Sequence, residues 1–541
     1  MASLIQALLL IATGLRRPLF LTGNLKEIYN FDAWDFHHKL GEKCELFLSA
    51  SVPITAQSPD GGVVRIDGML GTKELYVFDP RALYQIMVKD QDIFEETDSM
   101  IRGTRLMFGD GILSTLGATI NICTCGFSSC EIQPQESNTK SKGRGLTQFS
   151  PLLTSDTWLR AALESRVKQG PKEVDLLLWM TRTALELVGQ AGLGYSFDPL
   201  ETDEIPPYIV SVKQLGVTMH KMALSARYLM PLVAEIGSAQ FRRFMVNIVP
   251  WKNLHETRDI LDTLYATAVD IYNLKKAALE AGDKAVSSQI AEGKDIISIL
   301  MKENVNASSD ERLSEDEIIG QLNTLVFAAT DTTSSALSRT LHILAERPDA
   351  QEKLRKEIRL AGVDITYDQL NSMEWLDAVC RETLRLYPPV SYLSRITRKD
   401  VILTTSTPVT TLDGSTTTEI PIPAETNILV SLLGSNRNPA IWGTDVLEWK
   451  PERWLSPLPQ SVADAHVPGI YSNLMTFNAG GRACIGFKFS QLEMKVILCL
   501  LVERFKFSLS DKDVAWQMSP IAVPAVEGTK PQLPLKVELA V

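Results

Sequence analysis

Near its carboxyl end the chain reads Phe477-Asn478-Ala479-Gly480-Gly481-Arg482-Ala483-Cys484-Ile485-Gly486, and a helical pattern begins immediately afterwards. Glycines there permit a tight loop with unusual backbone angles. A cysteine at the mouth of a helix faces N–H groups that have no intrahelical partner, and the helix dipole favours negative charge at that end. Both effects lower a thiol pKa and hold the thiolate, which is the form that ligates metals. Arg482 can pair with a carboxylate of a bound cofactor, and Phe477 can cover the sulfur and keep it dry. Most core cysteines are inert. The pattern Phe-x-x-Gly-x-Arg-x-Cys-x-Gly, however, fixes five positions, and chance supplies it in roughly one chain in ten thousand of this composition.

A second set of polar residues lies inside an apolar helix. Ser314-Glu315-Asp316-Glu317 has the form of a capping box, and the helix it starts can run to about Glu346, ahead of Pro348. Its middle reads Phe327-Ala328-Ala329-Thr330-Asp331-Thr332-Thr333. An acid and three hydroxyls at such a depth are costly unless paired or hydrated. Small residues let another group approach the backbone, and Ser or Thr bonding back to a carbonyl can open the helix locally. A third set is Glu382-Thr383-Leu384-Arg385, acid and base on one helix face, closed by Leu386-Tyr387-Pro388-Pro389, with Pro451-Glu452-Arg453-Trp454 further on. Glu352-Lys353-Leu354-Arg355 has the same spacing and reads as a solvated pair.

Taken in order, these segments resemble the motifs of the cytochrome P450 superfamily, the haem-thiolate monooxygenases, of the eukaryotic microsomal type and similar to fungal members. The resemblance covers most of residues 26–541. It implies a mainly α fold with small β-sheets, one large catalytic domain, and haem b (iron protoporphyrin IX) as cofactor. It implies that Cys484 is the axial ligand to the haem iron, and that Phe477, Gly480, Arg482, Gly486 and Arg395 bind the cofactor, Arg395 by pairing with a propionate. Thr332 would hydrogen-bond the oxygen being activated, and Asp331 would feed protons through water. Glu382, Arg385 and Arg453 would form a buried ionic triad that locks the cysteine loop. One atom of O2 would enter a hydrophobic small molecule, with NADPH-derived electrons arriving through a separate NADPH-cytochrome reductase. A role in secondary metabolism follows from the same likeness. Ala329 stands where the family usually has Gly, and Trp454 where it usually has Phe.

The elements that must position these residues are legible in outline. Val63–Ile66 and Leu75–Phe78 read as strands joined at Leu70-Gly71-Thr72-Lys73, and a helix follows from Pro80. Residues 155–350 are mostly helical in period. Residues 400–435 suggest strands turning at Leu412-Asp413-Gly414, and a helix near 487–503 precedes a tail of strands. The 541 residues carry 54 Lys and Arg against 65 Asp and Glu, a net charge of −11 that argues against nucleic acid as a partner. Seven cysteines are too few, and too odd in number, for a disulfide scaffold. Residues 1–25 read as a hydrophobic anchor: an apolar run from Ala2 to Leu15 precedes Arg16 and Arg17. By the positive-inside rule the anchor leaves the catalytic body facing the cytosol, and the microsomal resemblance implies the endoplasmic reticulum as the membrane.

Two segments depart from this pattern. Residues 45–60 interrupt the region before the first strand, and residues 118–150 replace the helix whose Trp/His-x-x-x-Arg contacts a haem propionate in the family. Both have the character of a retained intron or a frame slip. Cys123, Cys125 and Cys130 lie in the second and lack a clear fourth ligand for a metal. Two alternatives to a competent oxygenase follow. One is a catalytically impaired haem protein of the same fold, and the other is a relative that rearranges peroxides, against which Asp331 and Thr332 argue.

Overall fold

A computed structural model of the chain describes residues 23–42, 62–116, 150–198, 200, 204–233, 236–282, 295–308, 312–362, 365–411, 415–528 and 530–540. The fold is mainly helical with small sheets. It comprises two compact units, each discontinuous in sequence, so neither corresponds to a separate stretch of chain. The first is Met1–Thr97, Leu384–Cys484 and Gln517–Ala522, and the second is Asp98–Thr383, Ile485–Trp516 and Val523–Val541.

The first unit is built on a five-stranded sheet in the order Val63–Asp67, Lys73–Val77, Asn427–Ser431, Tyr392–Thr397, Phe94–Glu95. The expected hairpin is its edge: Val63 pairs with Val77 and Asp67 with Lys73, joined by a 3-10 turn at Met69–Gly71. Lys73–Val77 then runs parallel to Asn427–Ser431, which is antiparallel to Tyr392–Thr397. The helix expected at Pro80 begins there because Asp79 accepts the Ala82 N–H at 2.9 Å and proline occupies the first turn. It continues as a π-helical turn, Gln85–Lys89. Gln85 fastens this turn to the hairpin Val401–Thr410/Thr416–Ile422, donating to the Ile402 carbonyl and accepting the Thr404 N–H. The expected turn at 412–414 lies outside the described residues.

The second unit is organised around the helix Glu315–Glu346. Ser314 and Glu317 form the expected capping box, and the 32 residues span roughly 48 Å. Ile318, Leu322 and Val326 of this helix are buried with Leu185, Ile209, Leu215, Leu264, Ile271 and Ile297 in one apolar cluster. Pro348 does not merely stop the helix; it opens the next one, Pro348–Ala361. The tail forms strands as expected, with Pro534–Leu539 between Lys172–Asp175 and Phe505–Leu509. Residues 1–22, 43–61 and 117–149 lie outside the described residues, and with them the anchor's apolar run and both atypical segments except Ser150. Among the described residues no helix is long and apolar enough to cross a membrane. Leu25 and Ile28 are buried in the first unit.

Candidate functional site

The cysteine loop is held at several points by its own unit. The Cys484 N–H donates to the Phe477 carbonyl at 2.9 Å, and Asn478 Nδ2 donates to the Arg482 carbonyl at 2.9 Å. Gly480 has φ +64°, and a Cβ there would stand 1.8 Å from the Met87 carbonyl oxygen, so no other residue fits. The next N–H, that of Gly481, donates to Gln91 Oε1 at 3.0 Å. Phe477 meets Tyr471 edge-on, with ring centroids 5.4 Å apart. The loop therefore rests on the segment 85–91, which no local signal singles out.

Of the described cysteines only Cys484 is exposed. Cys380 is buried, and burial pushes its thiol up to about 12, so it stays protonated. Cys499 is buried with its sulfur 3.9 Å from Met373 Sδ. Cys484 is thus the described cysteine whose sulfur is accessible to a metal.

Arg482 and Arg395 come together on one carboxylate that sequence reasoning missed. Arg395 Nη2 lies 3.3 Å from Glu96 Oε1, and Arg482 Nη2 lies 3.2 Å from Glu96 Oε2. Burial lowers the Arg395 pKa, the Glu96 carboxylate raises it, and the Arg482 cation lowers it again. Two cations thus share one anion in a poorly solvated place.

The run leading into the loop is tied to the end of the helix Glu374–Leu386. Arg385 Nη1 donates to the Asn436 carbonyl at 3.1 Å. The Asn436 side chain accepts the Met475 N–H and donates to Thr476 Oγ1, both at 2.8 Å, and Thr476 Oγ1 donates to the Leu384 carbonyl. Trp442 joins the other expected member: the Arg385 guanidinium sits 5.2 Å from its ring, and its carbonyl accepts from Arg453 Nη1 at 3.2 Å. Arg453 also pairs with Asp445 at 3.1 Å, which holds that carboxyl below its usual range. Glu382 is fully buried and belongs to the second unit's share of the same helix.

In the second unit, Asp331 and Thr332 sit in the middle of the long helix. Thr332 Oγ1 donates to the Ala328 carbonyl at 2.7 Å, the back-bonding expected of a hydroxyl at that position. Leu325, Ala328, Ala329 and Thr332 form an accessible stripe at helical spacing on a helix that is otherwise largely buried. Asp331 faces another way. Its Oδ1 lies 2.5 Å from Lys213 Nζ, which also donates to Ser334 Oγ at 2.9 Å. Lys213 comes from the helix Pro207–Lys221, 118 residues away in sequence, and no local signal marks it.

The donor set fits the haem that the resemblance implies. Among the described residues it offers one exposed cysteine, and two guanidiniums that converge on Glu96. It also offers a glycine, Gly486, at which a Cβ would meet no protein atom within 4 Å. Protein packing alone does not demand glycine at position 486.

Comparison with known proteins points the same way. The family model described as Cytochrome P450 matches residues 155–529. Cytochrome P450 monooxygenase 91 of Postia placenta is 46% identical over 524 residues, covering 96% of this chain and 92% of the relative. Cytochrome P450 monooxygenase 212 of the same fungus is 44% identical over 486 residues, 88% of this chain and 87% of the relative. Ganoderic acid synthetase CYP5150L8 of Ganoderma lucidum is 40% identical over 488 residues, with the same two shares.

Proposed function

The chain belongs to the cytochrome P450 family of haem monooxygenases, and from that premise we propose that it hydroxylates, or oxidises in a related way, a hydrophobic small molecule, with NADPH-derived electrons delivered by a separate NADPH-cytochrome reductase. The observation that carries this reading is the accessible Cys484 sulfur on a loop pinned by Gly480, beside two converging guanidiniums. Cys484 would hold haem b through its thiolate, Arg395 and Arg482 would hold its propionates, and Phe477 and Gly486 would border it. When bound, haem supplies O2 activation at iron, which a thiolate ligand favours by pushing electron density toward O–O cleavage.

The remaining work falls to this chain's own residues. The Thr332 hydroxyl hydrogen is committed to the Ala328 carbonyl, so its lone pairs are presented outward to accept a hydrogen bond or a relayed proton. Asp331 would pass protons through water, and Lys213 fixes its carboxylate in place. Leu325, Phe327, Ala328 and Ala329 leave apolar surface accessible beside Thr332, which supports an apolar substrate. Arg385 and Arg453, gathered on Trp442, would steady the loop from behind together with Glu382. The impaired alternative has no support in the described residues or in the relatives, which align over nearly the whole chain.

Attachment to the endoplasmic reticulum with the body facing the cytosol is part of the proposal. The apolar run 2–15 ahead of Arg16 and Arg17 supports it. So does the helix Ala239–Ile248, whose Phe241, Phe244, Met245 and Ile248 share one exposed face. Carbonate extraction of membranes should release a chain lacking residues 1–25 more readily than the intact chain; equal retention would remove the anchor from the reading.

The central test is the spectrum of the reduced, carbon-monoxide-bound protein, followed by turnover with NADPH and added reductase. The substrate panel should include ganoderic acids and their precursors, because a relative carries that name. The intact chain should show a strongly red-shifted Soret band and NADPH-dependent product. Cys484→Ser should lose both. Retention of the same spectrum and full activity by that variant would defeat the proposal.

A further inference from the structure

Glu96 lies one residue beyond the edge strand Phe94–Glu95. In that ladder Phe94 pairs with Thr397 and Glu95 with Ile396, so the register carries Glu96 opposite Arg395. Its two carboxylate oxygens go to different partners: Oε1 to Arg395 and Oε2 to Arg482. Its backbone is fixed as well, because Arg398 Nη2 donates to the Glu96 carbonyl at 3.2 Å while Arg398 Nε binds Glu95 at 2.9 Å. The stretch just before this strand, 85–91, meets the neighbouring loop residues Gly480 and Gly481 at Met87 and Gln91.

Two guanidiniums in a poorly solvated place repel each other and, left alone, would turn apart toward water. A carboxylate between them removes that repulsion and sets a common orientation for both. We propose that Glu96 is a positioning residue for the cofactor: it gathers Arg395 and Arg482, one from the sheet and one from the cysteine loop, so that both present to the propionates of haem at once. This rests on the haem reading of the Cys484 loop.

The test compares haem loss from the loaded, full-length protein to an excess of an apo-globin scavenger, for the intact chain, Glu96→Gln, Glu96→Ala and Glu95→Gln. Each is loaded in parallel with haem and with haem dimethyl ester, whose propionates carry no charge. Glu96→Ala should lose haem about tenfold faster, the scale of one lost charge-assisted contact, and Glu96→Gln should fall between it and the intact chain. With the dimethyl ester the variants and the intact chain should lose cofactor at the same rate. Glu95→Gln, which weakens the Arg398 pair but keeps the Glu96 carboxylate and the Arg398 bond to the Glu96 carbonyl, should keep haem like the intact chain. Loss within twofold of the intact chain for both Glu96 variants would overturn the inference. So would an equal acceleration with the ester, or with Glu95→Gln, because either would mark a role in strand stability alone. Should Glu96→Ala fail to fold, Glu96→Gln carries the comparison. An intact chain that takes up haem without the thiolate spectrum would sink the haem reading of the site and not the role of Glu96 alone.

Discussion

The Lys213–Asp331 pair gives the sharpest mechanical prediction. The perturbation is Lys213→Met, which keeps the apolar stem and deletes the ammonium. The side chains of Lys213 and Asp331 are only 12% and 7% exposed. At an effective dielectric constant of about 20, opposite charges 4 Å apart attract by about 4 kcal/mol, and this pair is closer. Removing one partner of a buried pair costs about 3–5 kcal/mol, because the other charge stays uncompensated. The residual exposure places the expected loss near the lower end, about 3 kcal/mol. Lys213→Met/Asp331→Asn, which leaves no charge behind, should recover at least half of that. Urea unfolding of the haem-loaded protein measures both. The ratio of product to NADPH consumed, with added reductase, should fall in Lys213→Met, because the carboxylate that would relay protons is no longer held. A single variant within about 0.5 kcal/mol of the intact chain, or a double variant no more stable than the single, would refute the reasoning.

Further expectations follow from local geometry. Gly480→Ala places a Cβ against the Met87 carbonyl at a positive φ, so it should abolish the thiolate spectrum; a normal spectrum would show that the loop yields. Gly486→Ala meets no protein atom, so the haem-free variant should melt like the intact haem-free chain while haem affinity falls; an unchanged affinity would remove cofactor contact at that position. His342 accepts a hydrogen bond from Trp516 Nε1 at 2.9 Å, and burial first, then Arg339, lowers its pKa from 6.5 to about 4. Unfolded chains take up this proton below pH 6.5 while the folded protein does so only near pH 4, so stability falls with pH across that window. The loss should be about 2 kcal/mol by pH 5. His342→Gln, whose amide oxygen can still accept from Trp516, should flatten this part of the urea-unfolding profile; an unaltered profile would assign the pH dependence elsewhere.

Sequence alone settled what depends on neighbours a few residues apart. The capping box at Ser314 and Glu317, the hairpin Val63–Asp67/Lys73–Val77 and the helix after Cys484 are all local, since caps, turns and side-chain period act within one or two turns of chain. The identity of Cys484 as the residue to watch was equally legible, because its spacing to Phe477, Gly480 and Arg482 is fixed within eight residues. What tertiary structure decided was partnership. Glu96 meets Arg395 because an edge strand two residues long happens to pair with one arriving some 300 residues later, and Lys213 meets Asp331 across 118 residues. Trp442 collects Arg385 and Arg453, and Asn436 couples the helix end to the run before the loop. An Asp, a Lys or a Glu has many partners of similar energy available in an unfolded chain. Only packing of the apolar faces around the long central helix and the five-stranded sheet removes those alternatives, so the choice of charge partners is a product of the fold and leaves no trace in local spacing.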